Sequence, residues 1–181
     1  MNIFPFFDWL KKRPDASSLY QKIVTQARRP EFYRNLGIPD TASGRFDMIS
    51  LHAFILMKRL KSDEENGRDL SQALFDFMFD DMDKNLREMG VGDIAVGKKV
   101  KILAAAYYGR ITAYEKGLQS GEGVLEEVFQ RNLYCDGKPS REQLTAMVHY
   151  FRGQIKISED WTFEQISQVN FAFLPPPKVG G

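Results

Sequence analysis

The chain has 181 residues, 43% of them hydrophobic, and 25 Lys+Arg stand against 24 Asp+Glu, a formal net charge of +1. That suits one ordinary domain with a real core, and bulk charge gives no argument for specific nucleic-acid binding. A single cysteine, Cys135, and two histidines, His52 and His149, exclude an internal disulfide and a cysteine-based zinc site; none of the three has a partner at catalytic motif spacing, so no catalytic residue, metal or cofactor is assigned.

The opening "MNIFPFFDWLKKRP" carries its positive charges after the apolar part and an Asp within it, the wrong layout for a secretory signal. Residues 1–14 are expected to be an amphipathic segment, folded back onto the core or lying on a membrane surface. From 15 to 170 helical spacing dominates, with no alternating strand, hairpin signal or repeat. The fold class is all-α: a single compact domain of about seven to eight helices, followed by an extended Pro-rich tail at 171–181. No apolar run approaches the roughly 20 residues that cross a bilayer. The expected location is cytoplasmic, with peripheral contact on the cytoplasmic side of the inner membrane left open.

In chain order the helices are predicted at Ser17 to Ala27, Pro30 to Leu36, Ala42 to Leu60, Leu70 to Met89, Ile94 to Leu118, Gly123 to Leu133, Arg141 to Ile155 and Glu159 to Ser167. Gly37 with Pro39, Asp40 or Thr41, Gly67 before Asp69, Gly90 with Gly92, and a capping box at Ser140 and Gln143 mark the boundaries. Phe46 to Leu60 is apolar almost all the way round, the pattern of a central, buried helix. In the Ile94 helix, Val96, Val100, Leu103, Tyr107, Ile111, Tyr114 and Leu118 form a core-facing stripe. Its other side aligns Lys98, Lys101, Ala105, Gly109 and Thr112, where small residues admit a close neighbour, expected to be another helix of the domain. In the tail "FAFLPPPKVGG", Phe171, Phe173 and Leu174 are docking points, and nothing is expected to hold the residues after Lys178.

The stretch "ALFDFMFDDMDKNLREMGVGD" invites a calcium reading, because Asp81, Asp83 and Asn85 mimic the first ligands of an EF-hand. Leu86 stands where the turn glycine belongs and Gly92 where the bidentate Glu belongs, so that reading fails. A helical di-metal site would need Glu-x-x-His motifs, and there are none. Asp76, Asp80 and Asp83 form a solvated stripe, while Leu70, Leu74, Phe75, Phe77, Met78, Phe79, Met82 and Leu86 span an arc of about 200°, too wide for one surface-helix face of about 100°. The helix is therefore covered on two sides or partly exposed. Asp81, Asn85 and Glu88 enter the apolar arc near Phe77, which favours exposure there and a mixed apolar and acidic ridge for a protein partner. The corner "REMGVGDIAVGKKVK" reads as a tight turn, with Gly90 ending one helix and Asp93 capping the next.

The blocks "ARRPEFYRNLGIPDTASGRFDMISLHAFILMKRL", "LSQALFDFMFDDMDKNLREMGVGDIAVGKKVK" and "AAAYYGRITAYEKGL" resemble the ubiquinol-cytochrome c chaperone family over roughly Leu19 to Ile155. The resemblance implies a non-enzymatic assembly factor for the cytochrome bc1 complex. Its expected partners are nascent or unassembled cytochrome b, the ribosome and a small helical co-factor protein. The short N-terminus, without an Arg-rich transit segment, resembles a bacterial member. The family pattern places the functional surface on Leu74 to Lys101 with the "GRFD" and "YYGR" elements. The partner-binding candidates are Arg45, Phe77, Asp80, Asp81, Asn85, Arg87, Glu88, Lys98, Lys101, Tyr108 and Arg110.

Two other readings compete. A helical pocket near Asp76, Asp80, Lys98 and Arg110 would bind a lipid, quinone or phosphate, or act as an enzyme. A scaffold that only dimerises would use the Phe77 patch.

Overall fold

The computed structural model describes residues 16–135 and 137–179, and the amphipathic segment expected at 1–14 lies outside them. Among the described residues there is no strand. The helices are α1 (Ala16–Ala27), α2 (Pro30–Arg34), α3 (Ala42–Leu60), α4 (Glu64–Glu88), α5 (Asp93–Gln119), α6 (Glu122–Asn132), α7 (Arg141–Ser158) and α8 (Phe163–Ser167), with a 3-10 turn at Lys61–Asp63.

Helix α3 is central because it has no polar face to give to water: everything from Phe46 to Leu56 is buried. It packs against α1, α4, α5 and α7. Phe54 meets Tyr114 of α5 and Phe151 of α7, and Phe129 of α6 closes that aromatic cluster. The start of α3 is fixed by Thr41, whose Oγ1 accepts from the Gly44 amide at 3.1 Å. Gly44 is required there, since a Cβ would fall 2.0 Å from the Pro39 carbonyl oxygen.

His52, in the middle of α3, is completely enclosed. The Met48 carbonyl can only accept, so His52 Nδ1 carries the proton and donates to it at 2.8 Å. Nε2 then accepts from the Tyr150 hydroxyl at 2.8 Å, and that hydroxyl accepts from Gln26 Nε2. Burial pushes the imidazole down to about 4, which keeps it neutral. This chain of bonds joins α1, α3 and α7 through satisfied polar groups.

The α3–α4 junction departs from expectation. Gly67 does not precede a helix start near Leu70; α4 begins at Glu64, immediately after the 3-10 turn, with Glu64 at a positive φ of 52°. Gly67 lies within the helix and against the end of α3, where a Cβ would sit 2.0 Å from the Leu60 carbonyl oxygen. The glycine allows close packing and breaks nothing. At the other end of the chain, α7 runs on to Ser158 and α8 starts only at Phe163, capped by a reciprocal Thr162–Gln165 box of the same type as Ser140–Gln143.

Residues 170–179 have no regular structure but are packed on the core. Phe171 stacks on Trp161 at 4.5 Å, and Phe173 meets the edge of His52 at 5.2 Å. The Leu174 carbonyl accepts from Gln26 Nε2 at 2.8 Å and Gln154 Nε2 at 3.3 Å. Val179, beyond Lys178, also rests on the core, where no anchor was expected.

Candidate partner-binding surface

Helix α4 resolves the width of its apolar arc by being covered on two sides. On one side Tyr20 of α1 lies 5.6 Å from the Phe77 ring, and its hydroxyl donates to Asp81 Oδ2 at 3.0 Å. Burial, then the Asp81 charge, raise the Tyr20 pKa, so the phenol remains a donor. Asn85 Nδ2 also donates to Asp81. Phe77 and Asp81, expected on an open ridge, therefore belong largely to the α1–α4 contact, while Asn85 stays exposed and bonds to Asp81 within α4. The same contact leaves little for a self-interface centred on Phe77.

On the other side α4 meets α5. Phe79 is buried, Phe75 is half-buried, and both pack on Tyr107. Phe75 also lies 5.6 Å from Tyr108, which is 57% exposed, so an aromatic path runs from the core to the surface.

The corner between these helices is a Schellman turn. Gly90 takes φ +83°, its amide donates to the Arg87 carbonyl at 2.9 Å, and the Val91 amide donates to Leu86 at 3.1 Å. Asp93 does not cap α5 as expected. It is the first helical residue, behind Gly92, and its exposed carboxylate instead pairs with Arg87, which also holds Asp83. The Asp83 hydrogen bond is the main cause of the raised Arg87 pKa. Arg87 thus staples α4 to the start of α5.

Beyond this corner the outer face of α5 is open. Ala105 and Gly109 were expected to receive another helix of the domain; both are exposed, and a Cβ added at Gly109 would meet nothing within 4 Å. Around them stand Ile94 (95% exposed), Ile102 (58%) and Tyr108, and Met89 (71%) ends α4 beside the same corner. At about 100° per residue, Ile94, Lys98, Lys101, Ile102, Ala105, Tyr108, Gly109 and Thr112 share one arc of α5. It is an apolar strip with a small-residue floor and two lysines, and it faces solvent. Met89, Ile94 and Ile102 were missed as functional candidates. The available signal was two isoleucines on the lysine side of the α5 wheel.

The remaining candidates divide. Asp80, Arg87, Glu88, Lys98, Lys101 and Tyr108 are exposed on α4 and α5. Arg110 is not surface machinery: its Nε donates to the fully buried Asp47 carboxylate at 2.7 Å and Nη1 donates to the Ala106 carbonyl, with Phe46 under the guanidinium at 5.2 Å. That bond joins the "GRFD" and "YYGR" elements as an internal clamp between α3 and α5. Arg45 points elsewhere, pairing with Asp40 at 2.7 Å. The alternative pocket near Asp76, Asp80, Lys98 and Arg110 does not assemble, because Asp76 bonds Gln72 on the surface while Arg110 is turned inward to Asp47. Among the described residues no group of three or more potential ligands could hold a metal, and no helix is long and apolar enough to cross a membrane.

Residues 34–173 match the family model described as "Ubiquinol-cytochrome C chaperone". The chain belongs to this family. It is 24% identical over 151 residues to the mouse ubiquinol-cytochrome c reductase complex assembly factor 1, covering 83% of this chain and 51% of the relative. It is 27% identical over 184 residues to the yeast mitochondrial protein CBP3, covering 93% and 55%. The chain thus spans about half the length of these relatives. The crystal structure of the Cbp3 homolog from Brucella abortus superposes with a TM-score of 0.82 at 29% identity, covering 96% of this chain and 97% of that one. The chain therefore shares its overall fold with that homolog.

Proposed function

We propose that this chain is a non-enzymatic assembly chaperone for ubiquinol-cytochrome c reductase that holds an unassembled membrane subunit, cytochrome b, before it joins the complex. The observation that carries the reading is the exposed strip of Ile94, Ile102 and Tyr108 over Ala105 and Gly109, continued by Met89. Small residues let a helix backbone approach closely, and the flanking apolar side chains replace the lipid that an uninserted helix lacks. Asp80, Arg87, Glu88, Lys98 and Lys101 form a mixed-charge rim that orients the client without contributing much affinity. Phe77, Asp81 and Arg110 support this surface by fixing α4 against α1 and α5 against α3, and the exposed Asn85 joins the polar rim.

The family membership supports the complex, and the chemistry of the strip supports an apolar helical client. Affinity purification of the full chain from membranes during synthesis of cytochrome b tests the reading. Enrichment of cytochrome b that Ile102→Glu removes is expected. Equal recovery of cytochrome b with and without the tagged chain contradicts it.

A further inference from the structure

The segment "ARRPEFYRNLGIPD" carries a concentration of arginine that the chaperone surface does not use. Here Tyr33 of α2 donates its hydroxyl back to the Ala27 carbonyl at 2.7 Å, folding α2 against the end of α1. The fold leaves a cleft of about 290 Å³ lined by Arg28, Pro30, Tyr33, Arg34, Asp40 and Arg45. Asp40 holds Arg45 in place, and among the described residues no carboxylate pairs with Arg28 or Arg34. Arg29 contributes nothing, because Glu31 neutralises it at 2.8 Å. Burial pushes the Tyr33 phenol up to about 12, so its ring supplies a neutral wall.

Three guanidiniums facing one carboxylate leave two positive charges uncompensated in one concavity of a chain whose net charge is +1. Their mutual repulsion is relieved by an anion of matching charge. A phosphomonoester carries about −1.5 to −2 near neutral pH and offers three oxygens to planar arginine forks. The volume lies just below the roughly 300–1,000 Å³ of ordinary ligand sites, which suits a phosphoryl group with a small substituent.

We propose that the Arg28–Arg34–Arg45 cleft binds a phosphomonoester, either a free small phosphate ester or the headgroup of a phosphomonoester lipid. None of the lining residues belongs to α4 or α5, so the site stands apart from the client strip.

Titration calorimetry of the full chain with glycerol 3-phosphate, and flotation with phosphatidylcholine vesicles with and without phosphatidic acid, test the proposal. All three arginines are exposed, so an Arg28→Gln/Arg34→Gln double variant should fold, which circular dichroism checks. Saturable binding of glycerol 3-phosphate, weakened about tenfold or more in the double variant and also by Arg45→Gln, is expected. Binding of the soluble ester without flotation assigns a free metabolite; flotation that needs phosphatidic acid and the arginines assigns a lipid headgroup. Absence of saturable binding to both probes, binding equal in wild type and double variant, or tight binding of single-stranded RNA with none of glycerol 3-phosphate would overturn it.

Discussion

Helices α3 and α5 are both rich in apolar residues, yet 13 of the 19 residues of α3 are buried and only four of the 27 in α5. α3 is enclosed by α1, α4, α5 and α7, and its buried Asp47 and His52 are bonded inward. α5 lies between α4 and α6 and shows its back to water, with Ile94, Ile102 and Tyr108 on it. The difference teaches that the core is complete without this strip. Apolar surface left over by a satisfied core is available for another protein.

The contrast can be attacked first at the clamp joining the two helices. Arg110→Met strands the buried Asp47 carboxylate and should cost about 3–5 kcal/mol in urea unfolding, most of it recovered by adding Asp47→Leu. A null effect of the single variant would remove the clamp from the account. Next, Gly67→Ala drives a methyl into the Leu60 carbonyl and should cost about 1–3 kcal/mol. That variant separates a packing glycine from the helix-breaking one expected at this position.

The enclosed side also predicts a pH response. The imidazole of His52 is held near 4 when folded, against an ordinary 6.5, so the unfolded chain binds the proton first as pH falls. Stability is full above about pH 6.5 and declines toward pH 4, by about 2 kcal/mol at pH 5 from this group. Unfolding at pH 7 and pH 5 should show that component in wild type and not in His52→Gln. The smallest change belongs to the open side: Gly109→Ala meets no neighbour and should raise stability by about 0.5–1 kcal/mol, read as a higher Tm.

Much of the fold was legible because helical periodicity and caps are local. The bounds of α3 match the expectation from Thr41 and the all-round apolar run, and Ser140–Gln143 marked α7. The start of α4 was misplaced because a glycine selected for close packing looks, in sequence, like one selected for a turn. The Thr162–Gln165 box was equally available in "WTFEQ" and would have placed α8 correctly. The surface was harder to read, because exposure depends on which faces other helices leave uncovered. Phe77 and Asp81 looked outward until Tyr20 was placed over them. Nothing in the spacing of Asp47 and Arg110, 63 positions apart, joined them, although both lay in blocks that carried the family resemblance.

The central claim, that the outer face of α5 holds an apolar client helix, is tested most directly by site-specific photocrosslinking during cytochrome b synthesis. A photoreactive residue at Ile102, with Lys138 on the α6–α7 loop as the exposed control, places the probe inside and outside the strip. The account predicts a cytochrome b adduct from position 102 that is absent at 138. An adduct at 138 with none at 102 would contradict it.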